Sequence, residues 1–324
     1  MASVLNEAYF HDEMAAFEAL EAILWPSGPT CPHCGATDRL NRLAGVRSKP
    51  SKKHPEGVVR HGLWKCYHCR QQFTVRKGTV FEASHLKLHQ WFQCAYLICS
   101  SKKGISSNQL ARTLGCTVKT AWFASHRIRK AMEDGNLGPL GGDMKAVEAD
   151  ETFLGRKTQF GRKTKWKKPR GGYGHTMKVM SLVERGGPVR STVLDTVTRQ
   201  DVERVIRGNV RRDSRLMTDT AAYYKGGNLG TAEHEMVNHT IDEYVRGDAH
   251  TNTLEGYFSI FKRGMKGVYQ HCEEKHLHRY LAEFDFRYNQ RIALGVNDGA
   301  RTTKALLGAR GKRLTYRDSS ATDA

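Results

Sequence analysis

The chain has 324 residues, of which 39% are hydrophobic, enough for two or three domains that each bury a core. We find no apolar run of about 18 residues or more and no secretory signal at the N-terminus, so we expect neither a membrane span nor export. Lys and Arg total 52 against 33 Asp and Glu, a net charge of +19. Such a charge favours a polyanionic partner, with DNA or RNA first, over a basic enzyme with an unrelated substrate.

The first predicted domain contains two Cys-x-x-Cys pairs. An N-terminal helix is expected over residues 1–25, and the two pairs follow in residues 26–80. They are Cys31 with Cys34 and Cys66 with Cys69. In the reducing cytoplasm expected here, paired motifs of this kind indicate a metal rather than a disulfide. Four thiolates suit a tetrahedral zinc ion, so the sequence predicts a zinc ribbon with a structural zinc. The alternative, a redox dithiol, needs only one pair.

Residues 81–135 show a helical pattern. A helix is predicted over about residues 85–101, and a second begins after Ser106 or Ser107 and ends at Gly115. Thr117 caps a third helix that runs to about Met132. This spacing predicts a helix-turn-helix whose second helix enters the major groove of DNA, while a plain helical hairpin with a solvated basic face remains the alternative. The candidate DNA-facing residues are Lys119, Thr120, Arg127 and Lys130.

The periodicity changes after a glycine-rich linker, and residues 143–295 form the third predicted domain. Strands are predicted at about 145–154, 175–184, 190–197, 215–220 and 234–239, and helices at 201–209, 251–264 and 273–292. This order predicts an α/β domain with a mixed sheet. Residues 296–324 are expected to be a C-terminal tail.

Three carboxylates in this domain are candidate metal ligands. Asp150 and Asp219 lie within apolar strands, where an acid is disfavoured unless it is paired, exposed or bound to a cation, and Glu255 opens a helix. Phosphodiester cleavage can use two divalent cations about 3.5–4 Å apart, and Mg²⁺ or Mn²⁺ prefers such oxygen ligands. Lys262, two helical turns after Glu255, is expected to contact DNA beside the metals.

Two neighbours of Asp150 are rival ligands. Strand alternation puts Glu148 on the same face as Asp150, while Glu151 is expected to point away. The sequence does not decide whether either of them assists the metal site.

The chain resembles the bacterial insertion-sequence transposases of the ISXO-like group. The stretches that match lie within about residues 20–295 and are CPHCG, KCYHCRQQFTVRKGTVFE, VEADETFLGRK, LMTDTAAYY, HTNTLEGYFSIFKRGMKGVYQH and HRYLAEFDFRYNQR. The resemblance implies an RNase H-like fold and a DDE triad of Asp150, Asp219 and Glu255, with Lys262 as the accompanying basic residue. It also places His250 and Asn252 near the site without a chemical role.

The resemblance further implies that the protein is a DNA transposase acting on transposon ends and target DNA. Because two ends must be brought together, we expect a homodimer or a larger oligomer, associated with the bacterial nucleoid. Two alternatives remain open: a non-catalytic DNA-binding regulator, and a structure-specific nuclease with the same metal chemistry. The intact acidic triad argues against the regulator.

A basic segment follows the first strand of the third domain. Eight of the fifteen residues in 156–170 are Lys or Arg, and aromatic residues are interleaved with them. Cations that neutralise phosphates and rings that stack on unpaired bases suit a DNA end held at the active site, although a solvated hairpin is the simpler alternative. The candidate DNA-binding residues are Lys163, Lys165, Trp166, Lys167 and Lys168.

Overall fold

The computed structural model of the protein describes residues 3–135, 137–155, 176–226, 229–237 and 250–316. These residues form two compact units. The first contains residues 3–101, 105–133 and 296–316, and the second contains 102–104 and the described part of 134–295. None of the helices in the described ranges is long and apolar enough to cross a bilayer.

The first unit begins with α1 (Glu13–Leu24) and a small antiparallel sheet of β1 (Leu40–Leu43), β2 (Leu63–Cys66) and β3 (Gln72–Phe73). Asp12 caps α1 by accepting a hydrogen bond from the Ala15 amide. The core of the sheet region is small, and Cys31 and Cys66 are themselves part of it, together with Phe73. A core this small depends on additional cross-linking, which is the role that the predicted zinc would fill.

Three helices follow, α2 (Leu88–Ser100), α3 (Ser107–Leu114) and α4 (Val118–Met132). The side chains of Ser106 and Thr117 cap α3 and α4, and Gly115 ends α3 at a φ of +64°, as the sequence indicated. Helix α2 begins at Leu88 rather than at residue 85. Its first amides are capped from elsewhere, because the Glu13 carboxylate accepts from Leu88 N at 2.8 Å and from His89 N at 3.2 Å.

The second unit is built on a five-stranded mixed sheet. Its strands are β4 (Ala146–Leu154), β5 (Met177–Glu184), β6 (Val189–Leu194), β7 (Arg215–Asp219) and β8 (Glu233–Val237). The spatial order is β6-β5-β4-β7-β8; β4, β5 and β6 pair antiparallel, and β4, β7 and β8 pair parallel. This confirms the predicted α/β class with its RNase H-like mixed sheet.

Helices cover both faces of this sheet. On one face α5 (Arg199–Asn209) packs against Val147 and Ala149 of β4. On the other face α6 (Asn252–Gly264) and α7 (Glu274–Asn289) enclose a core that includes Leu154. Because side chains alternate along a strand, Asp150 shares the α6 face with Leu154.

The last helix corrects the expectation of a C-terminal tail. Residues 298–307 form α8 (Asp298–Leu307), which Asn297 caps by accepting from the Ala300 amide. The helix belongs to the first unit, where it packs against α2 and α4. Its Ala305 and Leu306 are buried, so this segment contributes to the core of the first unit.

Candidate functional site

The two strand aspartates lie at matching positions of neighbouring parallel strands. The register of β4 and β7 pairs Glu148 with Met217, and Asp150 and Asp219 each follow two residues later. Asp219 is the last residue of β7, and its Oδ1 accepts a hydrogen bond from the Ala221 amide at 2.9 Å. Continued two residues beyond the last pair, this register brings the two carboxylates side by side, about one strand spacing of 4.8 Å apart, at the edge formed by the carboxyl ends of the parallel-paired segments of β4 and β7.

Helix α6 brings the third carboxylate. Glu255 lies in the first turn of α6, where it is exposed, and Lys262 follows two turns later on the same helix. Burial, together with the neighbouring charges of Asp219 and Glu255, raises the pKa of Asp150 to about 7, while the Glu151 amide and the Lys262 ammonium act in the opposite direction. The charges of Asp219, Glu255 and Lys262 thus all act on the Asp150 carboxylate.

The donor chemistry of this neighbourhood suits a hard divalent cation. Mg²⁺ and Mn²⁺ are bound by carboxylate oxygens, and a cation favours the ionised form that burial disfavours at Asp150. A buried carboxylate that also feels two neighbouring negative charges is costly to a fold without a compensating positive charge. Asp150, Asp219 and Glu255 are therefore the residues that could hold the cations.

Glu148 lies on the α6 face, as predicted, but its oxygens are already occupied. The side chain is fully buried and pairs with Arg185 Nε at 2.8 Å. It also accepts hydrogen bonds from the Thr253 amide at 3.0 Å, from Thr253 Oγ1 at 2.8 Å and from the Leu254 amide at 3.1 Å. With four donors on two oxygens, Glu148 is poorly suited to be a metal ligand.

Glu151 is directed to the opposite face of the sheet. Its carboxylate accepts a hydrogen bond from Tyr223 Oη at 2.8 Å and another from Tyr224 Oη. Burial raises the pKa of Glu151 to about 8. This placement agrees with the alternation of the strand and puts the second rival on the face opposite Asp150.

The residues just before Glu255 belong to the network around Glu148. The carbonyl of His250 accepts from Arg185 at 2.9 Å, and His250 Nδ1 lies 3.3 Å from Glu148 Oε1. Asn252 is the first residue of α6. His250 thus contacts Glu148, and Asn252 lies three residues before Glu255 on the same helix.

The four cysteines converge as a zinc ribbon requires. The Sγ atoms of Cys31 and Cys69 are 3.6 Å apart, those of Cys34 and Cys66 are 3.7 Å apart, and all four lie within 4.8 Å of one another. Thiolates about 2.3 Å from a tetrahedral zinc have Sγ–Sγ edges of about 3.8 Å, so the cluster fits the ion.

Two further features support this assignment. Hydrogen bonds from the backbone amides of Cys69 and His68 help to lower the pKa of the Cys66 thiol to about 7, whereas burial and hydrogen bonds with neighbouring thiols raise the pKa of Cys34 and Cys69, so the thiolate that a metal binds is favoured first at Cys66. The side chain of His68, a conceivable rival ligand, instead pairs with Asp38 at 3.0 Å. In the part of the chain that the structure describes, the cysteines are the one compact group of metal-binding donors.

The predicted DNA-facing side of α4 is partly wrong. Arg127 is only 4% exposed; it donates to the Glu82 carbonyl, and its guanidinium lies 5.4 Å from the Trp91 ring and 5.5 Å from the Phe123 ring. Burial, with the nearby charges of other arginines, lowers the pKa of Arg127 to about 10. Arg127 therefore holds the core of the first unit together and is not available to DNA.

The remaining candidates on α4 differ in exposure. Lys119 is exposed in the first turn, next to the half-buried Thr120, and its Nζ lies 4.8 Å from the Tyr316 ring. Lys130 near the end of the helix pairs with Glu133 at 2.6 Å. The accessible part of α4 is thus its first turn. The predicted DNA-binding residues Lys163, Lys165, Trp166, Lys167 and Lys168 lie outside the described residues.

Two family models and a curated relative match this chain. The family model described as an ISXO2-like transposase domain matches residues 139–289, and the model described as a transposase zinc-ribbon domain matches residues 11–72. A protein of Halobacterium salinarum, described as an uncharacterized protein in transposable element ISH50, is 26% identical over 294 residues, covering 86% of this chain and 91% of its own length.

Solved structures give a weaker likeness. A pre-cleavage Mos1 transpososome shows 12% identity and a TM-score of 0.28, covering 64% of this chain and 72% of the other. The Mos1 strand transfer complex shows 13% identity and a TM-score of 0.28, with coverages of 65% and 75%. TM-scores this low do not establish a common fold.

Proposed function

We propose that the chain is an insertion-sequence transposase of the ISXO2-like group, which binds the terminal inverted repeats of its element and catalyses DNA strand cleavage and strand transfer. The observation that carries the proposal is that Asp150 and Asp219 lie at corresponding positions of neighbouring parallel strands. The charges of Glu255 and Lys262 also act on Asp150. Such an arrangement suits a divalent-cation site for phosphodiester chemistry.

In this proposal the three carboxylates bind Mg²⁺ or Mn²⁺. Two such cations, when bound, activate the attacking water or 3′-hydroxyl and stabilise the leaving oxygen. The rigid sheet holds Asp150 and Asp219, and α6 carries Glu255 to the same edge. The Lys262 ammonium binds a phosphate of the DNA beside the carboxylates, where its charge also offsets theirs.

DNA recognition is assigned to the first unit and to the basic segment. The exposed first turn of α4, with Lys119 and Thr120, is suited to reach base edges, as the N-terminal residues of recognition helices do. Residues 156–170 supply phosphate contacts, and Trp166 supplies a stacking surface. Since both ends of an element must be held together, we propose that the active form is a dimer or a larger oligomer.

The proposal is tested with purified protein, oligonucleotide duplexes that carry an element end, and a target plasmid. With Mg²⁺ or Mn²⁺ we expect strand cleavage at the end and a joined product in the target. Cleavage without joining would support the structure-specific nuclease. End binding without either reaction would support the non-catalytic regulator and overturn the proposal.

A further inference from the structure

We propose that Glu148 is a positioning residue that caps helix α6 from strand β4 and so sets the place of Glu255 relative to Asp150. Its catalytic consequence rests on the function proposed above, whereas the cap itself can be tested independently. Glu148 is close in sequence to Asp150, and its hydrogen-bond partner is close in sequence to Glu255. Glu148 lies two residues before Asp150, and its partner Leu254 immediately precedes Glu255.

The N-terminus of α6 needs an acceptor from elsewhere. The first amides of a helix have no intrahelical partner, and a Ser, Thr, Asp or Asn at the N-cap usually satisfies them. The N-cap of α6 is Thr251, whose side chain makes no capping hydrogen bond. Glu148 fills this role by accepting from the amides of Thr253 and Leu254 at 3.0 and 3.1 Å.

The charge of Glu148 strengthens this cap. A carboxylate at a helix N-terminus interacts favourably with the helix dipole, and the effect is larger where water is excluded. Glu148 is fully buried, and its carboxylate pairs with Arg185 Nε at 2.8 Å. Arg185 also donates to the His250 carbonyl, so the same pair fixes the chain where it enters α6.

The cap therefore controls the geometry of the candidate metal site. Ligands and catalytic groups must be held to a fraction of an ångström, and a group that orients a ligand typically contributes about 10- to 100-fold in metal affinity or activity. Without Glu148, the first turn of α6 loses its tertiary anchor to β4. Glu255 is then free to move away from Asp150 while α6 stays packed through its apolar face.

The first unit supplies a matched control. Glu13 caps α2 in the same way, with hydrogen bonds from the amides of Leu88 and His89. Helix α2 carries none of the proposed metal ligands. Replacing Glu13 therefore perturbs an equivalent tertiary cap without touching the carboxylate site.

The test compares Glu148→Gln with Glu13→Gln in the full chain. In Glu148→Gln, amide hydrogen exchange of Thr253 and Leu254 should accelerate about tenfold or more, because one acceptor oxygen becomes an NH₂ group that faces donors. Single-turnover cleavage should slow by about 10- to 100-fold and the half-saturating Mn²⁺ concentration should rise, with unchanged affinity for DNA ends. Glu13→Gln should accelerate exchange only at Leu88 and His89 and leave the Mn²⁺ requirement unchanged.

A double variant separates positioning from general damage. If Glu148 acts through Glu255, adding Glu148→Gln to Glu255→Gln should cause no further loss of cleavage. Thr253→Val, which keeps the side-chain shape and removes one donor to Glu148, should shift exchange and Mn²⁺ dependence in the same direction by less. This milder variant keeps the test open if Glu148→Gln does not fold.

Independent, multiplicative losses in the double variant would overturn the proposal, as would normal exchange at Thr253 and Leu254 in Glu148→Gln. Normal Mn²⁺ dependence in a Glu148→Gln protein with accelerated exchange would overturn the catalytic part. If the unaltered protein cleaves no DNA ends, the proposed function fails, but the exchange experiment still decides whether Glu148 caps α6.

Discussion

Asp150 and Asp219 occupy level positions on adjacent parallel strands, because the β4–β7 register pairs Glu148 with Met217 two residues before them. This relationship places two carboxylates side by side at one edge of the sheet, where burial and the neighbouring charges raise the pKa of Asp150 to about 7. Keeping a buried Asp150 ionised beside other carboxylates therefore costs folding free energy.

Asp150→Asn should stabilise the metal-free protein. The pKa of Asp150 rises on folding from its ordinary value of about 4 to about 7, so the contribution of this group to stability falls as the pH rises from about 4 to 7 and is constant above. The variant lacks this penalty, so its advantage should appear above pH 4 and reach at most about 4 kcal/mol near pH 7. Thermal unfolding in chelator at pH 4 and pH 8 measures it. An equal melting temperature for both proteins at pH 8 would contradict the assignment.

Substitutions of Arg127 and Lys119 should have opposite effects on stability and on DNA-end binding, although both are basic residues of α4. Arg127→Met should lower the stability of the first unit by about 2–4 kcal/mol, because it removes a buried guanidinium from between Trp91 and Phe123 and orphans the Glu82 carbonyl. Lys119→Ala should leave the melting temperature unchanged and weaken binding to DNA ends. Unfolding curves and fluorescence anisotropy distinguish the two effects. Loss of end binding by a fully stable Arg127→Met would restore its role in DNA contact.

Cys66→Ser should abolish zinc binding and loosen the first unit. Cys66 contributes both to the four-sulfur cluster and to the small core with Phe73, so its loss removes the ion that this core depends on. Protease should then cut within residues 26–80 while the second unit stays folded. Metal analysis and limited proteolysis provide the measurement. Purified wild-type protein without zinc would contradict the zinc-ribbon assignment.

The basic segment should set much of the salt dependence of DNA binding. Replacing Lys163, Lys165, Lys167 and Lys168 by Gln should flatten the slope of log affinity against log salt, because each lost phosphate contact lowers the slope by about 0.7–0.9. The comparison is a salt titration of end binding with and without the substitutions. An unchanged slope would identify residues 156–170 as solvated surface.

Much of the local structure could be predicted because the signals are themselves local. Ser106, Gly115 and Thr117 define helix ends through their own backbone and side-chain chemistry, and the paired cysteines define a metal site by spacing. Strand alternation likewise placed Glu148 and Asp150 on one face of β4.

The rest depends on contacts between residues far apart in the sequence. The sequence alone left Glu148 as a rival metal ligand. Its hydrogen-bond partners in α6 lie 105 and 106 residues away, so no local pattern reveals that its oxygens are occupied. Arg127 follows a pattern typical of a solvated basic face, yet Trp91 and Phe123 cover it. Helix α8 was missed although Asn297 is a recognisable cap, because its buried face is matched only by α2 and α4.

The most direct test of the central claim is single-turnover cleavage and strand transfer by Asp219→Asn, with Mg²⁺ or Mn²⁺ and DNA ends at saturation. The substitution keeps the shape of the side chain and removes one negative ligand, so both steps should fall by about 10³-fold or more while end binding persists. Glu151→Gln, on the opposite face of β4, is the control and should cost far less. Near-normal joining by Asp219→Asn would contradict the account, because both steps are assigned to cations held at this edge of the sheet.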